Sequence, residues 1–411
     1  MKSIRFCRLQ WRRLSALASF ATLSAVVAPA AAQLVAVPYY EPSAFVAALE
    51  ARHLAPQAAR FAASAGALVD AISGLCASTG ESNQAGARQD NEGRASEARA
   101  QARDAWLAAA ESWERLQAVL AGATVERRSA IALDFRPARP ALIKRSVGLY
   151  GKAPPDAKTL ERVGAPAKGL PALEWLLWDP DAPQTRQSCR YSLGLAQEVQ
   201  REAGALASAH AADALRDWRE EPDAAAERAA EAVNQWLAGL EALRWRNLGK
   251  PLSMLVTKDG TPQEARPDGW PRPSSASHRD AWRARWESLR SLAIGPAPTD
   301  GFTPQPAVAP DVISLESLLR GRGRNSDADG WAQVIMTADE AMQALKEESL
   351  PPSAQAVGRE VAPSVVRPAG VPPLALLQEA VKALDAVKQY MQDTVAPGLK
   401  VNLGFSDADG D

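Results

Sequence analysis

The sequence predicts an all-α fold arranged as two pseudo-symmetric helical bundles. Long Ala- and Leu-rich segments place apolar residues three and four apart, the spacing of one helix face. No convincing run alternates polar and apolar residues with β-branched enrichment, as half-buried strands would. Prolines cluster between the helical segments, where the linkers of a bundle would hold them.

The first element is a targeting segment, residues 1–32. Lys2, Arg5, Arg8, Arg12 and Arg13 precede an apolar run over 14–27, and Ala30-Ala31-Ala32 before Gln33 offers small residues for cleavage. That is the pattern of a secretory signal, and it places the mature protein in the periplasm. The run is short for a membrane span, no Cys follows to take a lipid, and no later stretch reads as a transmembrane anchor. Losing five cations and no acid moves the formal net charge from −1 to −6, which excludes a nucleic-acid partner. The remainder is long enough for two bodies, taken as an N-terminal bundle over 33–220 and a C-terminal bundle with Pro/Gly-rich loops over 221–411.

Residues 43–78 read as a long helix capped by Ser43, with Phe45, Leu49, Phe61, Leu68 and Ile72 as anchors and kinked or split at Pro56. A polar gap over 78–92 leads to a helix over 94–120. Its Trp106, Trp113 and Leu120 stand seven apart and are assigned to the core. In 134–140, Asp-Phe-Arg-Pro-Ala-Arg-Pro, two prolines hold the backbone extended and place Arg136 and Arg139 upstream of the next helix, 169–178. Helices then follow over 191–218 and, capped by Asp223, over 223–248. A Pro-, Gly- and Ser-rich loop or flap spans 258–277. The last helices read over 277–292, 311–319, 331–348 with Asp329 as its cap, and 374–394.

The 169–178 helix carries the chemistry. Leu170, Leu173, Glu174 and Leu177 share one stripe, so a carboxylate faces inward in a segment that is apolar all round. Pro171 fits the first turn, and Gly169 can serve as the cap. A buried carboxylate must be paired with a cation, protonated through a raised pKa, or bound to a metal. Arg136 is the best local charge partner, because a guanidinium suits bidentate pairing. A purely structural acid is the alternative.

This stretch resembles the signature of the imelysin family, periplasmic or envelope-attached helical proteins tied to bacterial iron uptake, some described as insulin-cleaving metallopeptidases. The family motif is Gly-x-His-x-x-Glu. Gly169 and Glu174 match it, and Pro171 stands where the His would be. A pyrrolidine ring cannot coordinate a metal, so one of the two ligands the resemblance implies is missing. The resemblance extends to Ala105-Trp106 with Trp113, to Leu248-Gly249-Lys250-Pro251-Leu252, and to the ending over 403–411. It implies a pair of similar helical halves with the signature near their junction.

Two words recur in the same order. Ala105-Trp106 with Glu111-Ser112 is matched by Ala281-Trp282 with Glu287-Ser288, and Leu173-Glu174-x-Leu176-Leu177 by Leu315-Glu316-x-Leu318-Leu319. A duplication would put Glu316 on the helix equivalent to that of Glu174. With Cys7 lost in the signal, Cys76 and Cys189 are most simply a disulfide in an oxidising compartment, the alternatives being two buried thiols or a redox pair. His53, His210 and His278 form no His-Glu-x-x-His; His210 and Asp213, three apart on a helix, could share a metal but are read as lying on a solvated face, since two ligands do not close a site. No serine-hydrolase elbow, phosphate loop or dinucleotide fingerprint occurs.

The expectation is therefore a periplasmic binding accessory of iron uptake. Its site would comprise Glu174, Arg136, Gly169, Pro171 and Glu316, with Glu174 as metal ligand, and would hold a divalent or ferric cation or a small ligand. An imelysin-type metallopeptidase, with Glu174 as ligand or general base, and a non-catalytic partner of an outer-membrane iron transporter are the alternatives.

Overall fold

The computed structural model describes residues 37–78, 88–255, 269–296, 312–347 and 372–404, and all regular structure among them is helical. The secretory signal, most of the 258–277 loop and the end of the chain beyond 404 lie outside the described residues.

The fold begins with α1 (Pro42–Ala48), a π turn (Leu49–Leu54) and α2 (Ala55–Ser78). Pro56 has no N–H to give the preceding turn, and the α-helix is interrupted by the widened turn directly ahead of it. By length and composition the Pro42–Ser78 helix could cross a membrane, a property not expected of any segment after the signal. Its Phe45, Phe61, Leu68 and Ile72 are nevertheless buried in the protein core. There α2 lies between α3 (Arg88–Leu116) and α9 (Arg186–Leu215). The Cys76–Cys189 disulfide ties α2 to α9, with a Cα–Cα distance of 5.5 Å.

Trp106 and Trp113 on α3 are fully buried, while Leu120 lies beyond the end of that helix. The Trp106 indole donates to the Leu170 carbonyl at 3.0 Å, fastening α3 to α8 (Gly169–Trp178). Gly169 is the first residue of α8 and not its cap, which is Lys168. Its φ is +72°, and a Cβ there would stand 2.4 Å from the Leu133 carbonyl oxygen, so only glycine fits. Four short helices join α3 to α8: α4 (Ala123–Glu126), α5 (Ser129–Asp134), α6 (Pro140–Tyr150) and α7 (Ala157–Leu160). Phe135 and Arg139 are extended, as the prolines require, but helices flank them on both sides.

The chain continues through α10 (Pro222–Glu241), a second π turn (Ala242–Gly249) and α11 (Lys250–Ser253). Then come α12 (His278–Ile294), α13 (Leu315–Gly321), α14 (Asn325–Glu347), α15 (Leu374–Tyr390) and α16 (Ala396–Leu399). Asp223 sits in the first turn of α10, whose cap is Glu221. Asp329 lies inside α14 and pairs with Arg320 at 2.7 Å, so it caps nothing. Indole donors from Trp236 and Trp331 reach the carbonyls of Leu289 and Ala293, so α10 and α14 are both fastened to α12. The repeated words fall on comparable supports: α8 packs on α3 and α9, and α13 packs on α12 and α14. The likeness stops at α2, since α12 meets α14 with no helix between them.

Candidate functional site

A buried ionic cluster underlies the site. Residues 106, 110, 113 and 114 share one face of α3, which puts the Glu114 carboxylate in the core with no solvent exposure. Asp134, at the end of α5, is beside it. Arg272 arrives from the irregular segment before α12 and is fully buried; it donates to Asp134 Oδ1 at 2.9 Å and to Glu114 Oε1 at 2.7 Å. Arg285 from α12 binds Glu114 Oε2 through Nε at 3.1 Å and Nη2 at 2.7 Å. Trp113 and Gln117 donate to Asp134 Oδ2 at 3.3 and 3.1 Å.

Arg136 belongs to this cluster and not to Glu174. It donates to Asp134 at 2.8 Å, to Glu114 at 3.3 Å and to the Pro271 carbonyl at 3.0 Å. The expected Arg136–Glu174 pair is thus replaced, because Asp134, two residues upstream of Arg136, is the nearer acceptor. Glu174 is 2 % exposed, and its Oε1 accepts from the Ser275 N–H at 2.9 Å and from Ser275 Oγ at 2.8 Å. Burial pushes the Glu174 carboxyl above the usual range, against the opposing pull of Arg272 and the Ser275 donors. Three inward carboxyls, Glu114, Asp134 and Glu174, are therefore set among three guanidiniums, and the one without a direct ion pair is Glu174.

Glu174 also lines a pocket of about 950 Å³, walled by residues from the α5–α8 region and by others from the second π turn to Ser274. Pro171, Trp175, Arg136, Arg246 and Trp270 share its lining. Neither Gly169 nor Glu316 does. Glu316 is on α13, bound to Arg320 at 2.7 Å, and the equivalence suggested by the repeated words does not bring it to the site.

A metal ion does not suit Glu174. Pro171 stands in place of a ligand, Arg272 and Arg136 lie in the field of the Glu174 carboxyl, and no second ligand, the lining Asp179 included, is grouped with it among the described residues. The one grouping of metal-ligating atoms among the described residues is Glu50, His210 and Asp213. His210 is fully buried, not on a solvated face. It bonds Glu50 through Nδ1 at 2.9 Å and Thr124 through Nε2 at 3.0 Å. Arg228 holds Glu50 at 2.7 Å and Asp213 at 3.3 Å, so a cation already fills that place.

Two buried histidines set an acid limit on the fold. Burial lowers His53 to about 4; burial, with Arg272, Arg136 and Arg279 nearby, lowers His278 to about 3. His278 Nδ1 accepts the Arg272 backbone N–H at 3.2 Å. Glu114 falls from 4.5 to about 2: burial alone would raise it, but Arg285, Arg272 and Arg136 outweigh burial. All three groups have folded pKa values below their unfolded ones. Their stabilisation is complete above pH 6.5 for the imidazoles and above 4.5 for Glu114, and is lost as pH falls through the folded values. Glu174 has the opposite sign, stabilising below 4.5 and losing that contribution as pH rises through its raised value. Urea midpoints are expected to fall steadily below pH 6.5, less steeply in His278→Gln; a flat profile from 6.5 to 4 would contradict neutral buried imidazoles.

A family model for imelysin matches residues 54–371. The chain belongs to the imelysin family. Two solved structures share its fold. An imelysin-like protein from Psychrobacter arcticum 273-4 is 16 % identical, covers 89 % of this chain and 97 % of its own, and superposes with a TM-score of 0.62. A protein described as an iron-regulated protein A precursor, from Parabacteroides distasonis ATCC 8503, is 14 % identical with 87 % and 95 % coverage and a TM-score of 0.61. No curated protein sequence matches the chain. As an imelysin the protein departs from the family signature at Pro171, and the structure adds what the signature omits: Ser275, Arg272, Glu114, Asp134 and Arg285. For Glu114 and Arg285 a signal existed, since each is a charge on an apolar helical stripe like Glu174. Arg272 and Ser275 lie in an irregular Pro- and Ser-rich segment with no periodicity to read.

Proposed function

We propose that this imelysin is an exported binding protein of bacterial iron acquisition that holds a small ligand in the pocket beside Glu174 and does not cleave peptides. The observation that carries this reading is the pocket itself: a largely buried acid on its wall, held by Ser275, with aromatic neighbours. Loss of the signature His to Pro171 leaves a peptidase without the ligand set that an open catalytic metal needs. The link to iron and to export rests on the likeness to the P. distasonis precursor and on the secretory pattern of residues 1–32.

Native mass spectrometry of the mature protein recovered from periplasm is expected to show a bound small molecule that Ala141→Trp, which sets an indole among the lining residues, displaces. Its transcript is expected to rise under iron limitation. Protein free of any ligand would contradict the binding role, a flat transcript the iron role, and chelator-sensitive cleavage of a denatured protein substrate would restore the peptidase.

A further inference from the structure

The pocket lining is rich in cations. Arg139, Arg246 and Lys250 line it, and none of the three side chains has a hydrogen-bond or ion-pair partner among the described residues. Arg136 is held by Glu114 and Asp134. The lining carboxyls are Asp179 and Glu174, and burial favours the neutral form of the latter. The lining therefore carries more positive than negative charge, and a bare metal cation would be repelled by it.

A second observation points the same way. Asn247, also on the lining, is 3 % exposed, and its Nδ2, shut off from solvent, has no hydrogen-bond partner among the described residues. A buried amide donor left unpaired is costly, and an acceptor supplied by a ligand, met by a turn of the Asn247 side chain toward the pocket, would remove that cost. Arg246, Asn247 and Lys250 fall on one helical face where the second π turn meets α11. Widened turns of this kind recur at functional sites. Trp175, Trp178 and Trp270 are also on the lining and supply an apolar, aromatic surface.

We infer that the ligand is a small organic anion, its oxyanion group taken by Arg246, Asn247 and Lys250 with Arg139 nearby, and its apolar body packed against the tryptophans. This rests on the pocket being a ligand site and adds the ligand's charge class. Charge-assisted donors on a lining with more positive than negative charge select an oxyanion, and the aromatic surface excludes inorganic phosphate or sulfate as the natural occupant.

Two fluorescent probes of matched shape test it on the full mature chain: anilinonaphthalene sulfonate, an anion, and N-phenyl-1-naphthylamine, its uncharged counterpart. The anion is expected to bind at least tenfold more tightly. Arg246→Gln with Lys250→Gln should erase that preference, and Asn247→Ala should weaken the anion several-fold while leaving the neutral probe unchanged. Arg246 and Lys250 are exposed, so the variants should fold, which thermal melts by circular dichroism check. Equal affinity for both probes, displaced by Ala141→Trp, would keep the pocket and overturn the anion. A preference that survives the double variant would overturn it too. If neither probe bound saturably, the ligand pocket itself would be lost along with the anion.

Discussion

Replacing Arg272 with methionine is expected to destabilise the protein by about 3–5 kcal/mol, the range found when one member of a buried ion pair is removed. Arg272 is fully buried and bridges Glu114 and Asp134, which come from separate helices and have almost no access to water. Burial opposes its charge, yet Asp134, Glu114 and Glu174 together hold it more firmly protonated than an ordinary arginine. Without it, Arg285 and Arg136 remain as partners of two acids and the Trp106 ring loses a cation standing 5.5 Å from its centre. Urea denaturation at pH 7 measures the loss. Arg272→Lys, which keeps a charge but not the fork that bridges the two acids, should recover only part of it. A loss under about 1 kcal/mol, the scale of an exposed ion pair, would show that the cluster is solvated.

Removing the disulfide is the second large effect. Cys76 and Cys189 are separated by 113 residues, and closing a loop of that length restricts the unfolded chain by about 4–5 kcal/mol in the chain-entropy model. Cys76→Ser with Cys189→Ser is expected to lower the urea midpoint correspondingly without changing the helical content, since α2 and α9 pack along their length whether or not they are linked. Unchanged stability, or two free thiols in the denatured protein after expression in an oxidising compartment, would contradict the bridge.

The helical class was readable in the sequence because long periodic segments dominate it. α2, α9, α10, α12, α14 and α15 follow their apolar spacing to within a few residues at most ends. The short helices α4 to α7 were not, because four to eleven residues span too few turns to establish a period. The inward Glu174 was legible from its leucine neighbours, and the same rule identifies Glu114 between Trp113 and the next turn of α3. What surrounds those acids was not. Arg272 and Ser275 come from a segment of prolines and serines a hundred residues away in sequence from α8, and tertiary packing alone brings them together. Arg136 shows the limit of local reasoning: it is close to the motif in the chain, yet Asp134 and Glu114 take it. The repeated words found comparable helices, but the charge on each was settled by its neighbours, Ser275 for Glu174 and Arg320 for Glu316.

The most direct measurement is a calorimetric titration of zinc, copper and ferric citrate into the mature protein and into Glu174→Gln. Glutamine keeps an acceptor for Ser275, so the variant should fold. If Glu174 is a desolvated acid on the wall of a ligand pocket, the two proteins should give the same heats for every metal. One equivalent of metal bound by the parent and lost from the variant would contradict that, and would make Glu174 a metal ligand despite Pro171.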